Sequence, residues 1–184
     1  MAEWLVYQKV LCEKIYDELI GDEPFRQLKE RAYQALETKN PVGDQDAVSI
    51  KDEYMMTIPP AFEPWLLRTI HRNFIAHTSI CGINGVDEDK LRITGMWVNR
   101  MKKGEQHQPH AHDNSFYSFS AYIEATDQDA SFYFINDNQG SPIYINKESI
   151  QHILIFPSTL IHTVQRKRTE GDRISVSGNV VIDA

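Results

Sequence analysis

The sequence predicts an α+β protein in which N-terminal helices buttress a jelly-roll core of two facing β-sheets. Apolar residues recur at helical spacing through the first ninety positions. After Asp89 the pattern changes to short β-rich runs separated by turn residues. Eight such runs fit into the remaining stretch, the size of a jelly roll. At 184 residues the chain is expected to be one domain (1–184), with a mostly helical part over 1–90 and the core over 91–184. It carries no internal repeat and no low-complexity segment.

From Val10 to Ile20, Leu11, Ile15 and Leu19 recur every four residues, and Gly21 is placed to end a first helix. Pro24 at a first-turn position, with Phe25, Leu28, Ala32, Ala35 and Leu36 on one face, predicts a second. Residues 38–53 gather turn formers and read as a surface loop. A third helix is expected from Pro64, aligning Leu66, Ile70 and Phe74 and fading before Gly82. His71 and His77 in this region read as surface or packing residues. The predicted strands are 91–101, 105–112, 116–125, 131–136, 142–146, 151–156, 160–166 and 173–182.

Composition excludes several classes. The chain is 41% hydrophobic and 24% charged, ordinary for a globular protein. A net charge of −7 argues against a general nucleic-acid binder, because phosphates would be repelled. The basic run Arg166-Lys167-Arg168 reads as a solvated hairpin loop. Cys12 and Cys81 fit a reducing compartment without a disulfide framework. MAEWLVYQKV lacks a signal-peptide pattern and no apolar run suits a membrane span, so the protein is expected to be cytoplasmic.

The chemistry concentrates in QHQPHAHDNS (106–115) and in FPSTLIH, which ends at His162. Three of the seven histidines, His107, His110 and His112, crowd the first segment. On an extended strand His110 and His112 point to one face, so both imidazoles reach one point. Neutral imidazole is a common donor to first-row transition metals, and His162 follows a run that reads as a buried strand. The cluster could be ordinary polar surface. A closed zinc site is disfavoured, since both cysteines lie far away in the helical part. The remaining reading is an open site in which three side chains hold one face of iron(II). Farther on, Arg173, Ser175 and Ser177 share one strand face. An arginine turned into a sandwich is costly unless an anion meets it, and its planar fork suits a carboxylate. An outward-facing arginine on an edge strand is the alternative.

In order, the sequence offers Trp97-Val-Asn99, His110-Ala-His112, Ser118-Phe119, Tyr122, Phe156-Pro-Ser158, His162 and Arg173 to Asn179. This series resembles the iron- and 2-oxoglutarate-dependent dioxygenases, in particular a group of 2OG-Fe(II) oxygenases found in bacterial and phage genomes. The resemblance covers residues 91–182. It implies a double-stranded β-helix (cupin-like) core, Fe(II) as cofactor and 2-oxoglutarate as cosubstrate. It also implies molecular oxygen as co-reactant and a small-molecule or protein substrate. His110, His112 and His162 would hold the metal. Arg173 would hold the distal carboxylate of 2-oxoglutarate, with Ser175 or Tyr122 assisting. Asn99 and Trp97 would line the pocket, and Glu124 and Asn179 are weaker candidates.

One residue departs from that pattern. The wider superfamily places a carboxylate where this chain has His112, and the nearest acid, Asp113, falls on the opposite strand face. His112 is the favoured ligand and Asp113 the alternative. An all-histidine set leaves the site one charge more positive, so a three-histidine metal cupin without 2-oxoglutarate stays open. So does a non-catalytic jelly-roll binding module. Two geometric expectations follow: the three histidines converge inside the sandwich, and Arg173 faces the same cavity.

Overall fold

The computed structural model describes residues 16–42, 50–75, 86–136 and 139–183. Two helices and ten strands, labelled in chain order, carry the architecture: β1 (Tyr16–Leu19), α1 (Asp22–Thr38), β2 (Asp52–Met55), α2 (Phe62–Ile70), β3 (Leu91–Met101), β4 (His107–His110), β5 (Tyr117–Glu124), β6 (Phe132–Asn136), β7 (Gln139–Ile143), β8 (His152–Pro157), β9 (His162–Val164) and β10 (Arg173–Ile182). Six strands form one sheet in the order β1-β8-β5-β10-β3-β2, and four form the other in the order β4-β9-β6-β7. Every strand pairing is antiparallel. From β3 onward the chain shuttles between the sheets, which is the predicted jelly-roll arrangement.

Alternation on the central strands divides the interior. Ile93, Met96 and Val98 of β3, Ile174, Val176 and Val180 of β10, and Phe119 and Ala121 of β5 turn toward the helices. Against them α1 packs Leu28, Ala32, Ala35 and Leu36, and α2 packs Phe62, Leu66 and Ile70. Each large apolar side chain so enclosed contributes about 1.5–3 kcal/mol. The other face carries Met101, Tyr122, Leu154 and Phe156, which meet Phe132, Phe134 and Val164 of the smaller sheet. β8 supplies both layers, which is why its apolar run is continuous.

Between its neighbours β5 and β3, Gly178 of β10 has no room for a side chain. A Cβ there would lie 2.5 Å from Phe119 Cζ and 2.7 Å from the Gly95 carbonyl. Because backbone cannot rotate away, Gly178→Ala is expected to destabilise the protein by about 1–3 kcal/mol. Denaturant unfolding measures this, and an unchanged midpoint would contradict it.

The N-terminal part departs from its predicted helical character. Tyr16–Leu19, expected at the end of a helix, is an edge strand paired with His152–Ile155. A four-residue apolar period over so short a stretch cannot outweigh the unpaired edge of β8, and Leu19 ends up 60% exposed. The rest of that proposed helix, with Cys12, lies outside the described residues, and Gly21 instead precedes α1. Asp52–Met55, whose first two residues fall in the expected loop, is the opposite edge strand, paired with Trp97–Arg100. Its charged residues hid it, yet charge is tolerated on an edge. The third helix starts at Phe62 and gives way to a wider π turn over His71–Ile75. Its proposed continuation, with His77 and Cys81, lies outside the described residues. Of the strands expected in the core, β7 is displaced to Gln139–Ile143 because its hairpin with β6 pairs Asn136 with Gln139. No helix falls between Arg92 and Tyr122. Among the described residues no helix is long and apolar enough to cross a membrane.

Candidate metal centre

His110 and His162 are direct cross-strand partners on β4 and β9, so their side chains leave the sheet on one face. Their ring centroids lie 4.2 Å apart. His112 reaches the same point by another route. β4 ends at His110, and a backbone bond from the His112 N–H to the Ser158 carbonyl (2.8 Å) places it beyond the strand. Its ring lies 5.0 Å from that of His110 and 5.3 Å from that of His162. The donor atoms of the three imidazoles all fall within 4.8 Å of one another. Asp113, the alternative ligand, is exposed and lies outside this group.

The donor chemistry suits a transition metal. Nδ1 of His110 lies 2.8 Å from the Gln108 carbonyl, and Nδ1 of His162 lies 2.9 Å from the Leu160 carbonyl. A carbonyl only accepts, so each Nδ1 carries the proton and each Nε2 keeps a free lone pair. Burial pushes the His162 imidazole down to about 3 and His112 down to about 4, with neighbouring imidazoles adding to the effect. His110 is lowered by burial too. All three are therefore neutral at physiological pH and able to coordinate. Phe132 stacks on His162 at 5.5 Å and 9°, and Phe156 meets its edge at 4.9 Å, which fixes the ring.

The same pocket extends to Arg173, Ser175, Ser177 and Asn99 on the inner face of the larger sheet. Arg173 is 2% exposed; its Nη1 donates to the Ala130 carbonyl at 2.9 Å, and its guanidinium lies 5.2 Å from the Tyr122 ring centroid. No carboxylate among the described residues pairs with it. Asn99 Nδ2 donates to Ser177 Oγ at 3.4 Å, while Asn99 Oδ1 and the Tyr122 hydroxyl are buried without hydrogen-bond partners. Ser120 and Arg173 lie beside that hydroxyl, but neither is in bonding geometry. A buried cation beside a hydroxyl with no partner fits the carboxylate of an enclosed anion, which accepts from both, whereas Asn99 Oδ1 is itself an acceptor and calls for a donor. Trp97 lines the pocket, its ring 5.8 Å from that of His112. Glu124 turns to the helices, where it accepts from Tyr33, and Asn179 accepts from Ser118 at 2.8 Å.

Two residues in this region escaped the sequence reading. His107 also lines the pocket, its ring 4.3 Å from that of His110. Residues three apart on a regular strand face opposite ways, but here His107 pairs with Val164 and His110 with His162. The extra residue is a bulge, and Pro109, which cannot join a ladder, was its signal. Burial pushes His107 down to about 3. Lys167, expected in a solvated loop, is instead 1% exposed and paired with Asp129. A basic triplet says nothing about which of its members turns inward.

Residues 95–147 match a family model described as "Putative 2OG-Fe(II) oxygenase". That is the family whose residue pattern the sequence resembles. The matched stretch includes His110 and His112 and stops before His162 and Arg173. Solved 2OG-Fe(II) oxygenase structures share the fold. A prolyl-4-hydroxylase of Pseudomonas putida superposes with a TM-score of 0.63 at 12% identity, over 95% of this chain and 96% of that one. The viral collagen prolyl hydroxylase of Paramecium bursaria Chlorella virus-1, a 2-oxoglutarate complex, gives 0.59 at 14% identity over 92% and 95%. HygX from Streptomyces hygroscopicus, with nickel and 2-oxoglutarate bound, gives 0.54 at 14% identity over 99% and 87%. No curated protein sequence matches the chain.

Proposed function

We propose that this protein is an iron(II)- and 2-oxoglutarate-dependent dioxygenase that hydroxylates a protein side chain or a small metabolite. The observation that carries the proposal is Arg173, buried in the histidine pocket with no carboxylate partner among the described residues. Bound iron and 2-oxoglutarate would supply the oxidation, one oxygen molecule turning 2-oxoglutarate into succinate and carbon dioxide while the substrate gains a hydroxyl group. The chain's contribution is to hold and exclude. His110, His112 and His162 would hold the metal through three neutral nitrogen donors. Arg173 binds the distal carboxylate through its fork, Ser175 and the Tyr122 hydroxyl add donors, and Phe132 and Phe156 keep water from the metal-facing wall. Trp97, beside His112 at the pocket's edge, is placed to bound the substrate.

A second reading is favoured by one observation, the histidine at position 112. Three neutral ligands are also the donor set expected of a metal cupin that uses no 2-oxoglutarate. Anaerobic iron(II) titration with and without 2-oxoglutarate decides between them. A visible charge-transfer band that requires both components supports the dioxygenase, whereas tight iron binding with no band supports the cupin. Failure to bind iron leaves a non-catalytic binding module.

The ligand assignment has its own test. Asp113→Asn is expected to leave iron affinity within about threefold of the parent, whereas His112→Ala weakens it by more than the roughly 10–100-fold typical of residues behind the ligands. Competition with a calibrated chelator measures both. The reverse order would make Asp113 the ligand.

A further inference from the structure

Arg173 is not alone as a buried cation on its side of the sandwich. Lys167 Nζ lies 3.2 Å from Asp129 Oδ1, and neither side chain has any exposure. The pair closes into a ring. Lys167 Nζ donates to Thr169 Oγ1 at 2.8 Å, and Thr169 Oγ1 meets Thr126 Oγ1 at 3.2 Å. Thr126 in turn donates to Asp129 Oδ2 through its N–H at 3.0 Å and its hydroxyl at 3.2 Å. Asp129 Oδ1 also accepts the Ala130 N–H at 2.8 Å, and the carbonyl of that same Ala130 receives Arg173 Nη1 at 2.9 Å. Lys167 is held in place by its own backbone, which exchanges 2.8 Å bonds with Glu105 and Gly104.

Two buried cations thus converge on one short segment that carries one buried carboxylate. A carboxylate taken out of water binds whichever cation reaches it, and a guanidinium fork is the better geometric match. Yet Asp129 pairs with the lysine, while the arginine makes its contact one residue further on. Building on the dioxygenase reading, we infer that Lys167 is a positioning residue. It occupies Asp129 and thereby leaves the Arg173 fork free for the anionic end of the cosubstrate. Without Lys167, Asp129 would be a stranded charge one residue from the Ala130 carbonyl that Arg173 already bonds, and pairing between the two would cost the cosubstrate its anchor.

Lys167→Met keeps the length and bulk of the side chain and removes its charge. Under anaerobic titration of the iron-loaded protein with 2-oxoglutarate, this variant is expected to bind the cosubstrate at least about tenfold more weakly, with iron affinity unchanged. Adding Asp129→Asn removes the competing charge, and 2-oxoglutarate affinity is expected to return to within about threefold of the parent. A merely structural pair predicts a different pattern, with stability lost in Lys167→Met and partly regained on adding Asp129→Asn while the folded protein's 2-oxoglutarate affinity stays parental in both. Should the methionine variant not fold, Lys167→Gln, which keeps a donor for Asp129, replaces it in the same cycle. Parental 2-oxoglutarate affinity in the single variant overturns the inference. So does a double variant that binds no tighter than the single one, or a loss of iron affinity in the single variant. A parent protein that binds iron but no 2-oxoglutarate sinks the dioxygenase reading itself, a different outcome.

Discussion

His162→Ala is expected to abolish stoichiometric iron(II) binding while the sandwich stays folded. His162 is the most buried of the three, 4% exposed, with ring centroids 4.2 Å from His110 and 5.3 Å from His112. Alanine removes one of three donors, and Phe132 and Phe156, which enclose the ring, offer none in its place. Residues that merely orient ligands already change metal affinity by about 10–100-fold, so removing a ligand should exceed that range. The truncation also leaves a cavity beside two phenylalanines, with a stability cost of about 2–4 kcal/mol by analogy with other large-to-small core changes. Circular dichroism and iron binding must therefore be measured together. His110→Ala is the companion variant; it sits nearer solvent, so it should lose metal with a smaller stability cost. A folded His162→Ala protein that binds iron with parental affinity would remove the metal centre from the account.

Two interior strands of the larger sheet were legible to the residue. β3 and β10 have the bounds expected of them because their alternation is long and each face meets a different layer. The edge strands β1 and β2 were not legible. An edge is created by its neighbour's unpaired backbone, which no local pattern reports. The site shows the same split. His110 and His162 came together as cross-strand partners, a pairing that alternation within one strand does not report. His112 came to the same place for a different reason, through the Ser158 carbonyl rather than through a continued strand. His107 was hidden by a bulge that shifts its face by one residue, and Lys167 by a basic triplet whose middle member turns inward. Periodicity reads regular elements well, and functional sites are where elements bend or end.

Arg173→Leu is expected to weaken 2-oxoglutarate binding by about 2–5 kcal/mol, roughly thirty-fold to several-thousand-fold in Kd. The loss combines a bidentate, charge-assisted pair with the stranding of the cosubstrate carboxylate in a pocket shielded by Phe132 and Phe156. Iron affinity should hardly change, because Arg173 lies on the opposite sheet from His110 and His162 and contacts Ala130 and Tyr122 instead. Arg173→Lys should recover only part of the affinity, since an ammonium is a point charge on a flexible stem and cannot reproduce the fork. Stability in the absence of ligand should move the other way. Arg173 is 2% exposed and lacks a carboxylate partner among the described residues, so leucine relieves a buried charge and the unliganded protein should unfold at an equal or higher temperature. A residue kept only for structure would show the reverse, with lower stability and unchanged ligand affinity. Calorimetric unfolding and anaerobic cosubstrate titration of the same preparation distinguish the two. If Arg173→Leu binds 2-oxoglutarate as tightly as the parent, the pocket's charge has another purpose, and the three-histidine cupin becomes the better description of the site.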